Sequence, residues 1–136
     1  MCSELIRVKM ASPRRYRDKA YMKRIAPQIY GGAFRHDPDA VDKHLRHVQW
    51  SSDHGYYLQL LALAGWTSLP WLGSLSQPTL VLAGSDDPLV PVINAKLLAK
   101  RIPNSRLVVL EDGHLFLVTC PARSARLVGE FLDSPR

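Results

Sequence analysis

Two short apolar runs dominate the second half of the chain. Residues 79–83 read Thr-Leu-Val-Leu-Ala, and residues 106–110 read Arg-Leu-Val-Val-Leu. Each is continuous and rich in branched side chains, as strands covered on both faces of a parallel sheet are. Between them a loop over 84–91 precedes a helix expected over 92–101, and a turn over 102–105 leads into the second run. Residues 121–132 fit a closing helix, with Leu127, Val128, Phe131 and Leu132 on its inner side. Strand–helix–strand–helix implies a parallel pair joined by a right-handed crossover.

The first half has helical periodicity instead. Residues 13–26 suit a helix that begins at Pro13 and carries a loose apolar face of Tyr16, Ala20, Ile25 and Ala26. Pro27 should end or kink it, and 30–33 should turn. Asp37 and Pro38 form a cap and first-turn pair, after which Val41, Leu45 and Val48 recur at helical spacing to about residue 49. Ser51-Ser52-Asp53 is a second cap signal. The stretch that follows, 56–66, is apolar nearly all round, so it should be buried or face something greasy. Gly65 should stop it, and 68–72 reads as a connector. Residues 1–10 have no clear assignment.

Composition adds a constraint of size. The chain has 136 residues and a normal 46% apolar share, so one domain with a core is feasible. A complete doubly wound fold of the kind the strands suggest needs roughly 200 residues or more. With two strands in view, a long apolar sheet edge would stand uncovered. Cys2 and Cys120 lie too far apart for a disulfide framework or a metal motif. They point to a reducing, cytoplasmic compartment. No run is long enough to span a membrane, and the first residues do not read as a secretory signal.

The formal charge is +6. Much of the excess sits in Arg14, Arg15, Arg17, Lys19, Lys23 and Arg24. Such a run can attract nucleic acid or anionic lipid. A solvated helix face explains it more simply, and no nucleic-acid motif accompanies it.

Candidate chemistry lies in the two turns that follow the strand runs. Asp87 stands in Gly84-Ser85-Asp86-Asp87-Pro88-Leu89-Val90-Pro91, and His114 in Glu111-Asp112-Gly113-His114. Ligands of open α/β sheets bind beyond the carboxyl ends of the strands, and parallel strands would put both residues on one edge. There an imidazole can take a proton from a hydroxyl while a carboxylate fixes its tautomer. The spacing Gly-x-x-Asp-x-x-Val-Pro selects Asp87 over Asp86, which would cap the loop or face solvent. Acid then histidine is the order that ends a Ser–Asp–His triad, but no Gly-x-Ser-x-Gly elbow stands anywhere in the chain. Ser51, Ser52, Ser68, Ser74, Ser76 and Ser85 all lie outside such a turn. Cys120, before Pro121, could gain thiolate character from a helix start, although an incidental cysteine is the simpler reading. His36, His44, His47 and His54 carry no metal signature and read as surface residues.

Further phrases resemble one family. Met10-Ala11-Ser12-Pro13-Arg14-Arg15-Tyr16 and the run from Arg24-Ile25-Ala26-Pro27 through Tyr30-Gly31-Gly32-Ala33-Phe34-Arg35 are similar to the cap region of intracellular poly(3-hydroxyalkanoate) depolymerases. So are Gly55-Tyr56-Tyr57-Leu58-Gln59-Leu60 and Gly65-Trp66-Thr67-Ser68. The segments around Asp87 and His114 resemble that family's acid and histidine loops. The resemblance implies a partial α/β-hydrolase fold: an unassigned segment at 1–10, a helical lid over 11–72, and the last strand–helix–strand–helix of a parallel sheet over 73–136. It implies ester hydrolysis of stored medium-chain polyester through an acyl-enzyme, with no metal or other cofactor. Asp87 and His114 carry over as triad acid and base, whereas the nucleophile and its elbow have no counterpart here.

An apolar lid helix could line an acyl site, so Tyr56, Tyr57, Leu60, Trp66 and Leu115 are the expected substrate-binding residues. A chain of this kind should be inactive alone. It could instead work with a separate chain that supplies the serine, or cover its sheet edge as a homo-oligomer. The remaining alternative is a non-catalytic module bound to polyester granules or, less in keeping with the sequence, to nucleic acid.

Overall fold

A computed structural model describes residues 12–49 and 52–134. The elements run α1 (Arg14–Arg17), α2 (Lys19–Tyr30), a 3₁₀ turn (Gly32–Arg35), α3 (Pro38–His47), α4 (Asp53–Leu63), a second 3₁₀ turn (Leu72–Ser74), β1 (Thr79–Gly84), α5 (Val92–Arg101), β2 (Ser105–Leu110), α6 (Phe116–Thr119) and α7 (Pro121–Leu132). The expectations for 1–10, Cys2 and Ser51, and the start of the first cap phrase, lie outside the described residues.

The expected strands pair in parallel, from Thr79 opposite Ser105 to Gly84 opposite Leu110. The crossover helix α5 packs over them. Ala95 is buried against Val81 and Ala83, with Val92, Leu98, Ala99 and Leu107 around it. Asn104 returns its side chain to the Ser76 carbonyl at 2.7 Å and its own carbonyl to the Thr79 N–H at 2.8 Å, which sets the start of the register.

The helical half has its own core. Met22, Ile25, Ala26 and Ile29 line one face of α2 and meet Phe34, Val41 and Leu45. Three local expectations change here. The helix foreseen over 13–26 divides at Asp18, which leaves α1 in an extended conformation and caps α2 by accepting from the Tyr21 N–H at 2.9 Å. A carboxylate at that point satisfies an amide that an unbroken helix would use otherwise. Pro27 does not end α2, which runs on to Tyr30. Pro27 forfeits one helical hydrogen bond, and the burial of Ile25, Ala26 and Ile29 on either side of it offsets that loss. Tyr30, expected in a turn, closes the helix, and Gly31 and Gly32 turn the chain with φ of 66° and 52°.

The basic run is built into this half. Arg14 pairs with Asp18, Arg17 with Asp53, and Lys23 with Asp42. Arg15 is buried, its guanidinium 4.6 Å from the Tyr16 ring centre and 5.5 Å from that of Tyr56. Arg24 lies over Tyr21. Arg15 and Arg17 thus join α1 to α4, and Lys23 joins α2 to α3.

Two apolar surfaces are open, the first being one of the two alternatives expected for 56–66 and the second a departure from the inner side expected for the closing helix. Along α4 only Tyr56 is buried; Leu61 and Leu63, and Trp66 just after the helix, are each about two-thirds exposed, at 69%, 68% and 67%. In α7 the expected inner side is open: Val128 and Leu132 are exposed, Leu127 and Phe131 only half-buried, and Ser124 is the buried residue. An apolar face is buried only where another element meets it, and among the described residues β1 and β2 are the whole sheet.

The fully enclosed Ile29 tests the helical core. Ile29→Ala should cost about 2–5 kcal/mol of unfolding free energy, read from urea unfolding. The exposed Leu61→Ala should cost less than about 0.5 kcal/mol.

Candidate active site

The parallel ladder ends flush at Gly84 and Leu110, and the two loops that follow stay tied together. The Ser85 N–H donates to the Leu110 carbonyl at 2.8 Å, and the Asp86 N–H to the Asp112 carbonyl at 3.0 Å. Asp87 comes next, its side chain only 6% exposed. One carboxylate oxygen, Oδ1, accepts from the Leu89 and Val90 amides at 2.9 and 2.8 Å. The other, Oδ2, lies 2.8 Å from His114 Nδ1. A carboxylate there calls for a proton on Nδ1 and leaves Nε2 bare. The side chain is 30% exposed, and in this tautomer Nε2 is the nitrogen that can accept from a hydroxyl.

The helical half holds the other side of His114. Its backbone N–H donates to the Tyr30 carbonyl at 2.7 Å. The two rings are parallel within 8°, with centres 6.2 Å apart. Burial pushes the Tyr30 phenol up to about 12. Gly113 is needed for this approach, because a Cβ there would overlap the Tyr30 carbonyl. Leu115, next along, packs against the helical core.

Asp86 and Asp112 bind the turn between α2 and α3. Asp86 accepts from the Gly32 N–H at 2.8 Å and from Arg35 Nε at 2.7 Å. These bonds hold its carboxyl below the usual range, the guanidinium contributing most. Asp112 is buried, and its Oδ1 accepts from the Ala33 and Gly113 amides at 2.8 and 2.7 Å. Its Oδ2 takes the Thr119 hydroxyl and the Cys120 thiol, the latter at 3.2 Å. Burial alone would raise this carboxyl, but the four donors outweigh it and hold Asp112 below its ordinary value. Cys120 responds in the opposite sense. Its bond to Asp112, then burial, push the thiol up, so the thiolate that a helix start could favour is opposed here.

The remaining candidates are placed as follows. Tyr56 is enclosed, edge-on to Tyr16 at 5.9 Å and to Tyr57 at 5.8 Å. Tyr57 is half exposed, Leu60 half-buried and Trp66 largely exposed. Of the five apolar candidates, Leu115 adjoins His114 in the chain. Tyr56 is taken up by the arginine–aromatic stack, Tyr57 is on the open side of α4, Leu60 is half-buried on α4, and Trp66 is exposed just beyond it. His44 is half-buried, edge-on to Tyr30 and Phe34, and burial followed by the neighbouring His47 lowers its pKa. His36, His47 and His54 are exposed. The described residues hold no His, Cys, Asp or Glu group arranged for a metal. Sequence reasoning passed over Tyr30 and Asp112. A carboxylate next to the Gly-His pair was the available signal for Asp112, though the adjacent Glu111 carried the same signal and is exposed.

Comparisons with known proteins agree with this architecture. A family model described as alpha/beta hydrolase fold matches residues 14–119. A poly(3-hydroxyalkanoate) depolymerase of Ectopseudomonas oleovorans is 53% identical over 127 residues, covering 93% of this chain and 45% of that protein. A thermophilic esterase of Thermogutta terrifontis superposes with a TM-score of 0.72 at 26% identity, over 96% of this chain and 50% of the esterase. A Pseudomonas aeruginosa hydrolase at 21% identity shares the fold with a TM-score of 0.75, again over half its length, 50%. The chain thus spans about half of the proteins it matches.

The Asp112 geometry predicts an acid dependence. Its folded pKa lies below 3.8, the ordinary value. The stabilisation is therefore complete above about pH 4 and fades as pH falls through the folded value. The gap in thermal stability between the wild type and Asp112→Asn should be widest near neutrality and close toward about pH 2. A gap that widens in acid would contradict the assignment.

Proposed function

This chain belongs to the alpha/beta hydrolase fold family, and on that premise we propose that it carries the acid and base of a serine ester hydrolase acting on medium-chain poly(3-hydroxyalkanoate). One observation carries the reading: Asp87 Oδ2 stands 2.8 Å from His114 Nδ1, on a ring whose other nitrogen is left for a hydroxyl. The 53% identity to a depolymerase supports the choice of polyester.

The chemistry follows from the geometry. His114 Nε2 accepts the proton of a serine hydroxyl as the serine oxygen attacks the ester carbonyl. The imidazolium formed is stabilised by Asp87, and it returns the proton to the departing alkoxide, leaving an acyl-enzyme for water to cleave. The scheme calls for no metal or other cofactor. It does call for a serine on a sharp elbow and for oxyanion donors, and no Gly-x-Ser-x-Gly occurs in these 136 residues. In the proposal this chain alone is therefore inactive.

A second reading is favoured by the open apolar surfaces. Leu117, Val118, Leu132 and, to a lesser extent, Val109 and Val128 are exposed, which suits a separate chain that supplies the serine or a further copy of this one. The polyester itself would meet the α4 side, where Tyr57, Leu61, Leu63 and Trp66 are exposed, and this would place the protein on cytoplasmic granules. Nucleic acid is the less favoured partner, because the basic run is largely engaged within the fold. No described helix is long and apolar enough to cross a membrane.

An assay with a chromogenic medium-chain ester tests the proposal. The purified chain should match buffer. Mixed with a polypeptide that bears the serine elbow and its flanking strands, it should turn over ester, and His114→Ala should reduce that rate by on the order of a thousandfold. Turnover by the chain alone that is lost in His114→Ala would refute inactivity. Restored turnover indifferent to His114→Ala would refute the role of the histidine.

A further inference from the structure

Asp112 touches every segment that surrounds His114. Its backbone carbonyl receives the Asp86 N–H from the acid loop at 3.0 Å. Its Oδ1 receives the amides of Ala33, from the turn after α2, and of Gly113, directly before the histidine. Its Oδ2 receives the Thr119 hydroxyl and the Cys120 thiol where α6 meets α7. The backbone N–H of Thr119 donates to the Leu115 carbonyl at 3.1 Å, so the segment that carries His114 is closed into a ring through this one carboxylate. The residue is 5% exposed. A buried carboxylate that costs free energy to desolvate is retained only with such a set of partners.

His114 is thereby held from both sides. Asp112 fixes the peptide on its N-terminal side, and the Tyr30 carbonyl takes its own N–H at 2.7 Å. Ala33 and Tyr30 belong to the helical half, so the carboxylate also fixes the distance between that half and the histidine loop. The imidazole has one soft contact with the acid, Asp87 Oδ2. A small rotation of the loop would move Nδ1 out of hydrogen-bonding range, because the interaction weakens steeply with angle.

We propose that Asp112 is a positioning residue: through its hydrogen bonds to Ala33, Gly113, Thr119 and Cys120 it sets the backbone that holds His114 against Asp87. The proposal rests on the acid–base reading of Asp87 and His114, and it adds a second aspartate that acts through the histidine without facing the substrate. Hydrogen-bond acceptance by Oδ1, rather than charge, does the positioning. Asn at this place keeps that acceptor, and Ala removes it.

The test uses the 136-residue chain with ¹⁵N-labelled histidine, and reads the His114 tautomer from its ring nitrogen shifts above the pH at which the ring is protonated. The wild type should show His114 with the proton on Nδ1. Asp112→Ala, folded by circular dichroism, should scramble the two tautomers toward the mixture of a free imidazole, and Asp112→Asn should restore most of the wild-type signal. A folded Asp112→Ala that keeps the wild-type tautomer overturns the proposal. Should Asp112→Ala not fold, amide exchange of the wild type is the test: the Ala33 and Gly113 amides that Oδ1 accepts from should be protected, and exchange at the rate of open amides overturns the proposal. A wild type without the Nδ1 proton would instead count against the Asp87–His114 reading. In that event amide exchange decides on Asp112: Ala33 and Gly113 should lose protection in the variant that folds, and unchanged exchange overturns the role.

Discussion

The parallel pairing of β1 and β2 is the constraint from which the site follows. Both strands have six residues and are paired without offset. Their carboxyl ends are therefore level, and the loops after them begin side by side. Six residues of strand span about 20 Å. Had the strands run antiparallel, Asp87 and His114 would lie that far apart instead of in contact. The helix α5 enforces the sense of pairing, since a parallel return needs a crossover of this length. Sequence order thus becomes chemical proximity through one local choice, the apolar run repeated after a helix.

The strand tips also govern the helical half. The turn between α2 and α3 presents the amides of Gly32 and Ala33, and each meets an aspartate from a different loop. The two aspartates contribute unequally. Asp86 and Arg35 are half and about one-third exposed, at 50% and 38%, and such a surface pair adds little to stability. Asp112 is enclosed, and leaving any of its partners unmatched would cost far more. The surface pair orients the turn, while the enclosed carboxylate ties it to the histidine. A ligand that moved the helices would also move the carbonyl of Tyr30 and, with it, the backbone of His114.

Much of the local structure was legible in the sequence because its causes are local. Asp37 before Pro38 caps α3 through the Asp39 and Ala40 amides, and Ser52 caps α4 through Gly55. The strand runs, α5 and α7 appear where their composition puts them. The Gly-x-x-Asp spacing pointed to Asp87, and Asp87 Oδ2 lies 2.8 Å from His114 Nδ1. Long-range facts were hidden. Nothing in Glu111-Asp112 says which carboxylate is enclosed, since that depends on the turn at Ala33, 79 residues away. The arginine run read as solvated, yet Arg15 is buried, because aromatic rings from α1 and α4 come together around it. The apolar character of α4 and α7 was plain, but periodicity cannot report whether a facing surface exists. Their exposure here matches a chain that spans about half of its relatives.

These surfaces and the site form one picture. In the proposed reading, the open apolar faces suit a partner surface, and the second nitrogen of His114 suits a hydroxyl to be deprotonated. The central claim is narrower than either: Asp87 holds the proton of His114 Nδ1. Proton NMR of the 136-residue chain measures it directly. A hydrogen-bonded imidazole N–H should appear far downfield, assigned to His114 by its loss in His114→Gln, and it should vanish or move upfield in Asp87→Asn while the fold persists. A spectrum with no such proton, or one that Asp87→Asn leaves unchanged, would contradict the account.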